Sequence, residues 1–234
     1  MASLYGASSP LLSRQIRALV SPIYLATLQP QGRKIRAEPR WAPLQRYTSK
    51  SLPAQTRRWL TDDGSLTHRL IGLGQGPFNV NRLSQHWAVP LPSERSLLAL
   101  PERHTAIIRE VTLSLGPEVV VFARSVFPIA SLSGSLGHLR RLQNKSLGAI
   151  LFSHPGMHRS PFELSLIEGT SQYIPDALHQ NAPAWGRRSR FDIGGNRLLV
   201  SEVFLDKFRP WPAVLPVHRA QRGRVDTAIT RTTA

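Results

Sequence analysis

The chain has 234 residues, 41% of them hydrophobic, which is enough for one domain with a sizeable core and excludes an intrinsically disordered chain. Cysteine is absent, which excludes a disulfide framework, a thiolate metal site and a cysteine nucleophile. The formal net charge is +16, yet residues 1–58 hold +9 of it and residues 207–234 hold +5, leaving +2 for the 148 residues between.

The charge excess is therefore a property of the two ends. A nucleic-acid-binding fold would carry a basic stripe on a folded face, with stacking aromatics beside it. The middle of the chain has no such stripe, so no specific nucleic-acid partner is expected. The basic ends are left as candidates for weak contact with anionic surfaces. No apolar run approaches the roughly 18 residues that span a bilayer, so no transmembrane segment is expected.

Residues 1–54 read as a basic, flexible N-terminal extension interrupted by Pro22, Pro30, Pro39 and Pro43. Leu12, Ile16, Leu19 and Val20 fall at helical spacing with no acid before Glu38, as in an organelle transit peptide. A plain bacterial extension is the preferred reading, with the cytoplasm as the expected compartment. The globular domain is placed at residues 55–206, opening with a helix over Gln55–Leu60. Asp62-Asp63-Gly64 breaks that helix, and Ser65 can cap a second one carrying Leu66, Leu70 and Leu73. Phe78–Val89 alternates as a strand, and Pro92-Ser93 opens a short helix that ends before Pro101.

Thr105–Leu115 and Val119–Val126 form the arms of a hairpin that turns at Gly116-Pro117. Ser133–Leu142 and Ser146–Leu151 read as two short helical stretches, and Phe162–Glu168 as a strand. A second hairpin runs through Trp185–Ile193, the turn Gly194-Gly195-Asn196, and Leu198–Leu205. Pro210 and Pro212 close the folded region, and residues 207–234 read as a basic tail. Strands joined by short turns, with helices inserted between them, predict an α+β domain: an antiparallel sheet covered on one side by helices.

Three charges sit where apolar residues are expected. Arg109 shares a strand face with Ile107, Val111, Leu113 and Leu115. Glu202 shares one with Leu198, Val200 and Phe204, and Arg124 with Val120, Phe122 and Val126. Taken singly, each is explained at least as well by a buried ion pair or a snorkelling side chain. Taken together, they point to a pocket for a small anion, orientated by arginine and worked on by a carboxylic acid such as a buried Glu202.

Weaker candidates carry less. His154 and His158 sit four apart across Pro155-Gly156, so no helix presents them as metal ligands. Gly72-Leu73-Gly74-Gln75-Gly76 lacks the spacing of a dinucleotide loop, and Ser131–Ser135 lacks a nucleophile elbow. Arg187, Arg188 and Arg190 alternate along a strand and read as a solvated edge or a structural network.

The order of motifs resembles the chorismate lyase family. The resemblance rests on Arg109-Glu110, Ala123-Arg124-Ser125, Pro128-Ile129-Ala130-Ser131-Leu132-Ser133-Gly134, Trp185-Gly186-Arg187-Arg188-Ser189-Arg190 and Leu198–Leu205. Trp59-Leu60 and Gly64-Ser65-Leu66-Thr67 match the family's early helical segment, and the likeness spans about residues 55–206. It implies an antiparallel sheet whose ligand is enclosed beneath helical flaps. It further implies conversion of chorismate to 4-hydroxybenzoate and pyruvate, feeding ubiquinone synthesis, without metal or organic cofactor; a monomer is expected, although the sequence does not reveal oligomeric state.

By the same resemblance, Arg109 holds the ring carboxylate and Glu202 lies at the other end of the ring. Leu147 matches a backbone contact, and Arg124 a second arginine assigned here to the enolpyruvyl carboxylate. Glu202 is the candidate acid or hydrogen-bond donor near the leaving oxygen. Leu66 stands where the family commonly has methionine, and Ser146 where proline is usual, so the adjoining flap is expected to be looser. The alternative is a non-catalytic ligand-binding domain, since the same fold serves as the sensor half of some transcription regulators. Residues 1–54 lack the three helical periods of a DNA-binding module, which counts against it.

Overall fold

The computed structural model describes residues 37–215 and the pair Arg224–Val225, all within the unit Gly32–Ala234. The reading of residues 1–36 as an extension or transit segment, and most of the tail, lie outside the described residues. The elements in order are β1 (Ala42–Pro43), α1 (Ala54–Leu60), α2 (Leu66–Gly72), β2 (Phe78–Ala88), α3 (Pro92–Leu98), β3 (Ala106–Leu115) and β4 (Glu118–Pro128). Then follow α4 (Leu147–Ser153), β5 (Met157–Arg159), β6 (Glu163–Ile167), β7 (Ala184–Ile193), β8 (Asn196–Phe204) and β9 (Arg224–Val225). Gly134–Arg141, expected as helix, is a 3-10 stretch.

The sheet runs β1-β6-β7-β8-β4-β3-β2, and β5 joins the far end of β7. All of these pairs are antiparallel; only β9, beside β5, runs parallel. Two hairpins build most of it, and local chemistry sets both turns. Gly116 has φ +56°, and Gly194 and Gly195 have φ +56° and +80°, conformations that an L side chain resists. At the first turn Pro117 follows the glycine. Together these turns fix which residue of each strand faces which.

Register carries the polar residues into two separate rows. On one face, Val111, Ala123, Glu202, Arg187 and Leu164 stand side by side across β3, β4, β8, β7 and β6. On the other, Ser84, Glu110, Arg124, Ser201, Arg188 and Glu163 form a continuous polar line across six strands. The helices α1, α2 and α4 cover the first face, packing Trp59, Leu60, Leu66, Leu70, Leu147 and Leu151 against it. The second face receives α3, whose Leu98 packs with Ile108, Val126 and Leu199.

Packed structure extends beyond residues 55–206 at both ends. Leu44 and Leu52 are buried, and the Tyr47 hydroxyl donates to the Leu164 carbonyl at 2.8 Å. At the other end Phe208 is buried between Trp59 (ring centroids 5.0 Å apart), Phe204 (4.8 Å) and Trp211 (4.6 Å). Aromatic burial of this kind outweighs the turn-forming tendency of Pro210 and Pro212, which only redirect the chain. Among the described residues no helix is long and apolar enough to cross a membrane.

Candidate active site

Between the first face of the sheet and the helices α2 and α4 lies a cavity. Its empty volume, counted out to its mouth, is about 540 Å³, but only about 50 Å³ is open to the centre of a water molecule. It is a narrow slot in an otherwise packed interior. Leu66 and Leu147, the first residues of α2 and α4, wall it from above; Arg109, Ser125, Val200 and Glu202 floor it from the sheet.

The two helices that roof the slot are locked to each other. Ser65 caps α2, its hydroxyl accepting from His68 N at 3.4 Å, and Ser146 caps α4, accepting from Ala149 N at 3.4 Å. The Thr67 and Ser146 hydroxyls share a hydrogen bond of 2.9 Å. Gly148 permits the close approach, because a Cβ there would lie 3.1 Å from Ser65 Oγ. At Ser146, where a looser flap was expected, the hydroxyl both caps α4 and ties it to α2.

Arg109 lies almost wholly out of solvent, at 2% exposure. Its Nη2 donates to the carbonyls of Gln143 (2.7 Å) and Lys145 (2.9 Å), on the connection that leads into α4. Nε is buried without a partner, and among the described residues no carboxylate pairs with the guanidinium. Burial, and then the charge of Arg82, pull its pKa down to about 10. The buried ion pair that could have explained Arg109 from sequence is absent here, and the cation stands poorly compensated against the slot.

Glu202 is differently placed. Its Oε2 accepts from Arg187 Nε at 2.6 Å, while Arg187 Nη1 donates to the carbonyls of Trp59 (2.7 Å) and Asp62 (2.9 Å). Arg187 is 1% exposed, so it belongs to a structural network and not to a solvated edge. One guanidinium therefore ties Glu202 to the loop between α1 and α2. The charge-assisted bond commits Oε2 of Glu202 to Arg187.

Arg124 does not reach the slot. Its Nε and Nη2 donate to Glu94 at 2.7 and 3.1 Å, and its Nη1 to Glu110 at 3.0 Å, all on the opposite face of the sheet. Burial alone would lower its pKa, but the two carboxylates raise it well above the usual value. The expectation that Arg124 meets the enolpyruvyl carboxylate fails because β3 and β4 pair Glu110 with Arg124 and Arg109 with Ser125. Arg124 is an ion-pair residue holding α3.

Sequence reasoning missed Arg159. It lines the slot from β5, 3% exposed, with Phe162, Phe191 and Phe152 around its guanidinium at 4.1, 4.9 and 5.6 Å. A three-residue strand is too short for alternation to register, although buried Met157 and Arg159 flank half-buried His158 as a strand requires. Among the described residues no group of three His, Cys, Asp or Glu is placed to hold a metal ion.

The antiparallel α+β fold thus holds a slot floored by Arg109, which has no carboxylate partner among the described residues, and by the anchored Glu202. The family model described as Chorismate lyase matches residues 39–212, and the chain belongs to the chorismate lyase family. It is similar to the "Probable chorismate pyruvate-lyase" of Aromatoleum aromaticum, 40% identical over 69% of this chain and 90% of that protein. A protein of the same name from Methylococcus capsulatus is 39% identical over 68% of this chain and 96% of its own length. Among solved structures, the effector domain of PhnF from Mycobacterium smegmatis is similar at 12% identity and a TM-score of 0.46, over 61% of this chain and 89% of that one.

Proposed function

We propose that the chain is a chorismate lyase, converting chorismate to 4-hydroxybenzoate and pyruvate, with 4-hydroxybenzoate serving ubiquinone synthesis. The observation that carries this reading is the pairing of Arg109 and Glu202 on one face of the sheet, two strands apart and offset by two residues. Strand spacing and rise put their backbones roughly 12 Å apart, so their side chains bracket a ring. Arg109 keeps its Nη1 for a carboxylate, after the flap carbonyls have oriented Nη2.

The reaction breaks the ether bond between the ring and the enolpyruvyl oxygen. A ring C–H proton is lost from the neighbouring hydroxyl-bearing carbon, and the methylene carbon of the departing group gains one to become the methyl of pyruvate. Aromatisation supplies the driving force, so the protein has only to orient the substrate, place charge and exclude water. Arg109 fixes the ring carboxylate; Glu202, with Oε2 on Arg187, accepts the hydroxyl hydrogen that becomes the phenol's. Leu66 and Leu147 close over the ring, and the first N–H of α4, which has no helical partner, is assigned a backbone contact with the ligand.

The test is turnover. Purified protein is mixed with chorismate without added metal, and pyruvate is followed by a coupled assay. Pyruvate formed well above the spontaneous rate supports the lyase; a protein that binds chorismate and leaves it intact is a non-catalytic binding domain.

A further inference from the structure

The lyase reading places one carboxylate, on Arg109, and chorismate carries two. Arg124, which the sequence offered for the second, is engaged on the far face of the sheet. The other buried arginines, two on the cavity face and Arg188 on the far face, have carboxylate partners of their own. Arg69 forks onto Asp62 at 2.6 and 2.9 Å, Arg187 holds Glu202, and Arg188 pairs with Glu163 at 2.7 Å.

Arg159 differs from all of these. Its Nε donates to Ser189 Oγ at 2.7 Å and its Nη1 lies 3.4 Å from the Asp63 carbonyl, and among the described residues it has no carboxylate partner. Three phenyl rings hold the guanidinium in place, which fixes its direction without neutralising its charge. Burial, and then the neighbouring Arg187 charge, pull its pKa down to about 9. A desolvated cation that faces a cavity, with Glu202, Asp62 and Asp63 nearby but none bonded to it among the described residues, is costly unless a ligand adds counter-charge.

Its position is opposite that of Arg109. The strands between them are β7, β8 and β4, so the two backbones stand roughly 19 Å apart across the slot. Each long side chain enters from its own edge, with Glu202 between them on β8. Resting on the lyase reading, we infer that Arg159 binds the enolpyruvyl carboxylate, making the site one that selects a dianion carrying its carboxylates at opposite ends. Arg109 takes the group that stays on the aromatic product, and Arg159 the group that leaves as pyruvate. The site then holds the aromatic product by one charge pair and the substrate by two.

The test compares two ligands on three proteins. The dianionic probe is an inert aromatic analogue, a benzoate bearing a carboxyvinyl ether at the meta position, and the monoanionic probe is 4-hydroxybenzoate. Dissociation constants are measured by calorimetry for the wild type, Arg159→Met and Arg159→Lys. The inference expects Arg159→Met to weaken the dianion by roughly 30-fold, the scale of one desolvated charge pair, while 4-hydroxybenzoate changes by less than about threefold. Arg159→Lys should recover part of the loss if a point charge suffices and none if the fork is needed; either leaves the dianion weaker than in the wild type. Equal weakening of both ligands, or no weakening of the dianion in either variant, overturns it. If Arg159→Met does not fold, Arg159→Lys carries the same comparison. A wild type that binds the dianion more tightly yet leaves chorismate intact refutes the lyase reading alone.

Discussion

Arg109 and Arg124 stand on adjacent strands and face opposite sides of the sheet, because β3 and β4 pair Arg109 with Ser125 and Glu110 with Arg124. One arginine lines the slot with no carboxylate partner among the described residues; the other is clasped by Glu94 and Glu110 beneath α3. The two faces therefore do different work. The cavity face carries Arg109 and Arg159, which have no bonded carboxylate among the described residues, beside the paired Arg187 and Glu202; the far face uses compensated charge to fasten a helix.

Substituting the far-face cation should show that division. Arg124→Met leaves Glu94 and Glu110 buried without their cation, and breaking such a pair costs about 3–5 kcal/mol. Urea unfolding should report that loss. At a temperature where the variant is folded, KM for chorismate should stay within about threefold of the wild type.

Glycine at position 148 sets how closely the roof helices meet. A branched side chain there would press on Ser65 Oγ, already 3.1 Å from a bare Cβ and itself the cap of α2. Gly148→Val should hold the flaps apart and weaken 4-hydroxybenzoate on the order of tenfold, about 1.4 kcal/mol. Calorimetric titration measures this, and unchanged affinity would show that closure of α2 on α4 is not needed for binding.

Truncation tests where the packed region starts. Removing residues 1–36 keeps Trp41, Leu44 and Tyr47, which pack against the sheet; removing residues 1–50 deletes all three. In urea unfolding the longer deletion should be less stable than the shorter by about 3 kcal/mol or more, given what burying even one or two such side chains contributes.

How much of this was legible in sequence depends on the range of the signal. The hairpin turns at Gly116-Pro117 and Gly194-Gly195-Asn196 are local, and glycine conformation alone places them. Alternation along β3, β4 and β8 put Arg109, Arg124 and Glu202 on apolar faces of their own strands, and all three are there. What alternation cannot give is which face of one strand continues which face of the next, since that is fixed by cross-strand register. Arg124 was carried to the wrong side of the sheet for that reason. Arg159 escaped because three residues of strand are too few to show a period, and its meaning lies in three aromatic neighbours distant in sequence. Arg187 was visible as a charge, but its anchoring of Glu202 requires β7 to lie beside β8 in one register.

The most direct test of the account is turnover of chorismate by the wild type, Arg109→Ala and Glu202→Gln side by side, with circular dichroism checking each fold. Pyruvate and 4-hydroxybenzoate should appear in equal amounts with the wild type. Both variants should keep the wild-type spectrum, with kcat/KM reduced by at least about 10²-fold, the scale of removing one buried charge contact from a reacting site. Wild-type turnover no faster than the spontaneous reaction, or variants that are folded and fully active, would contradict the claim that the slot between the sheet and α2 and α4 is where chorismate is cleaved.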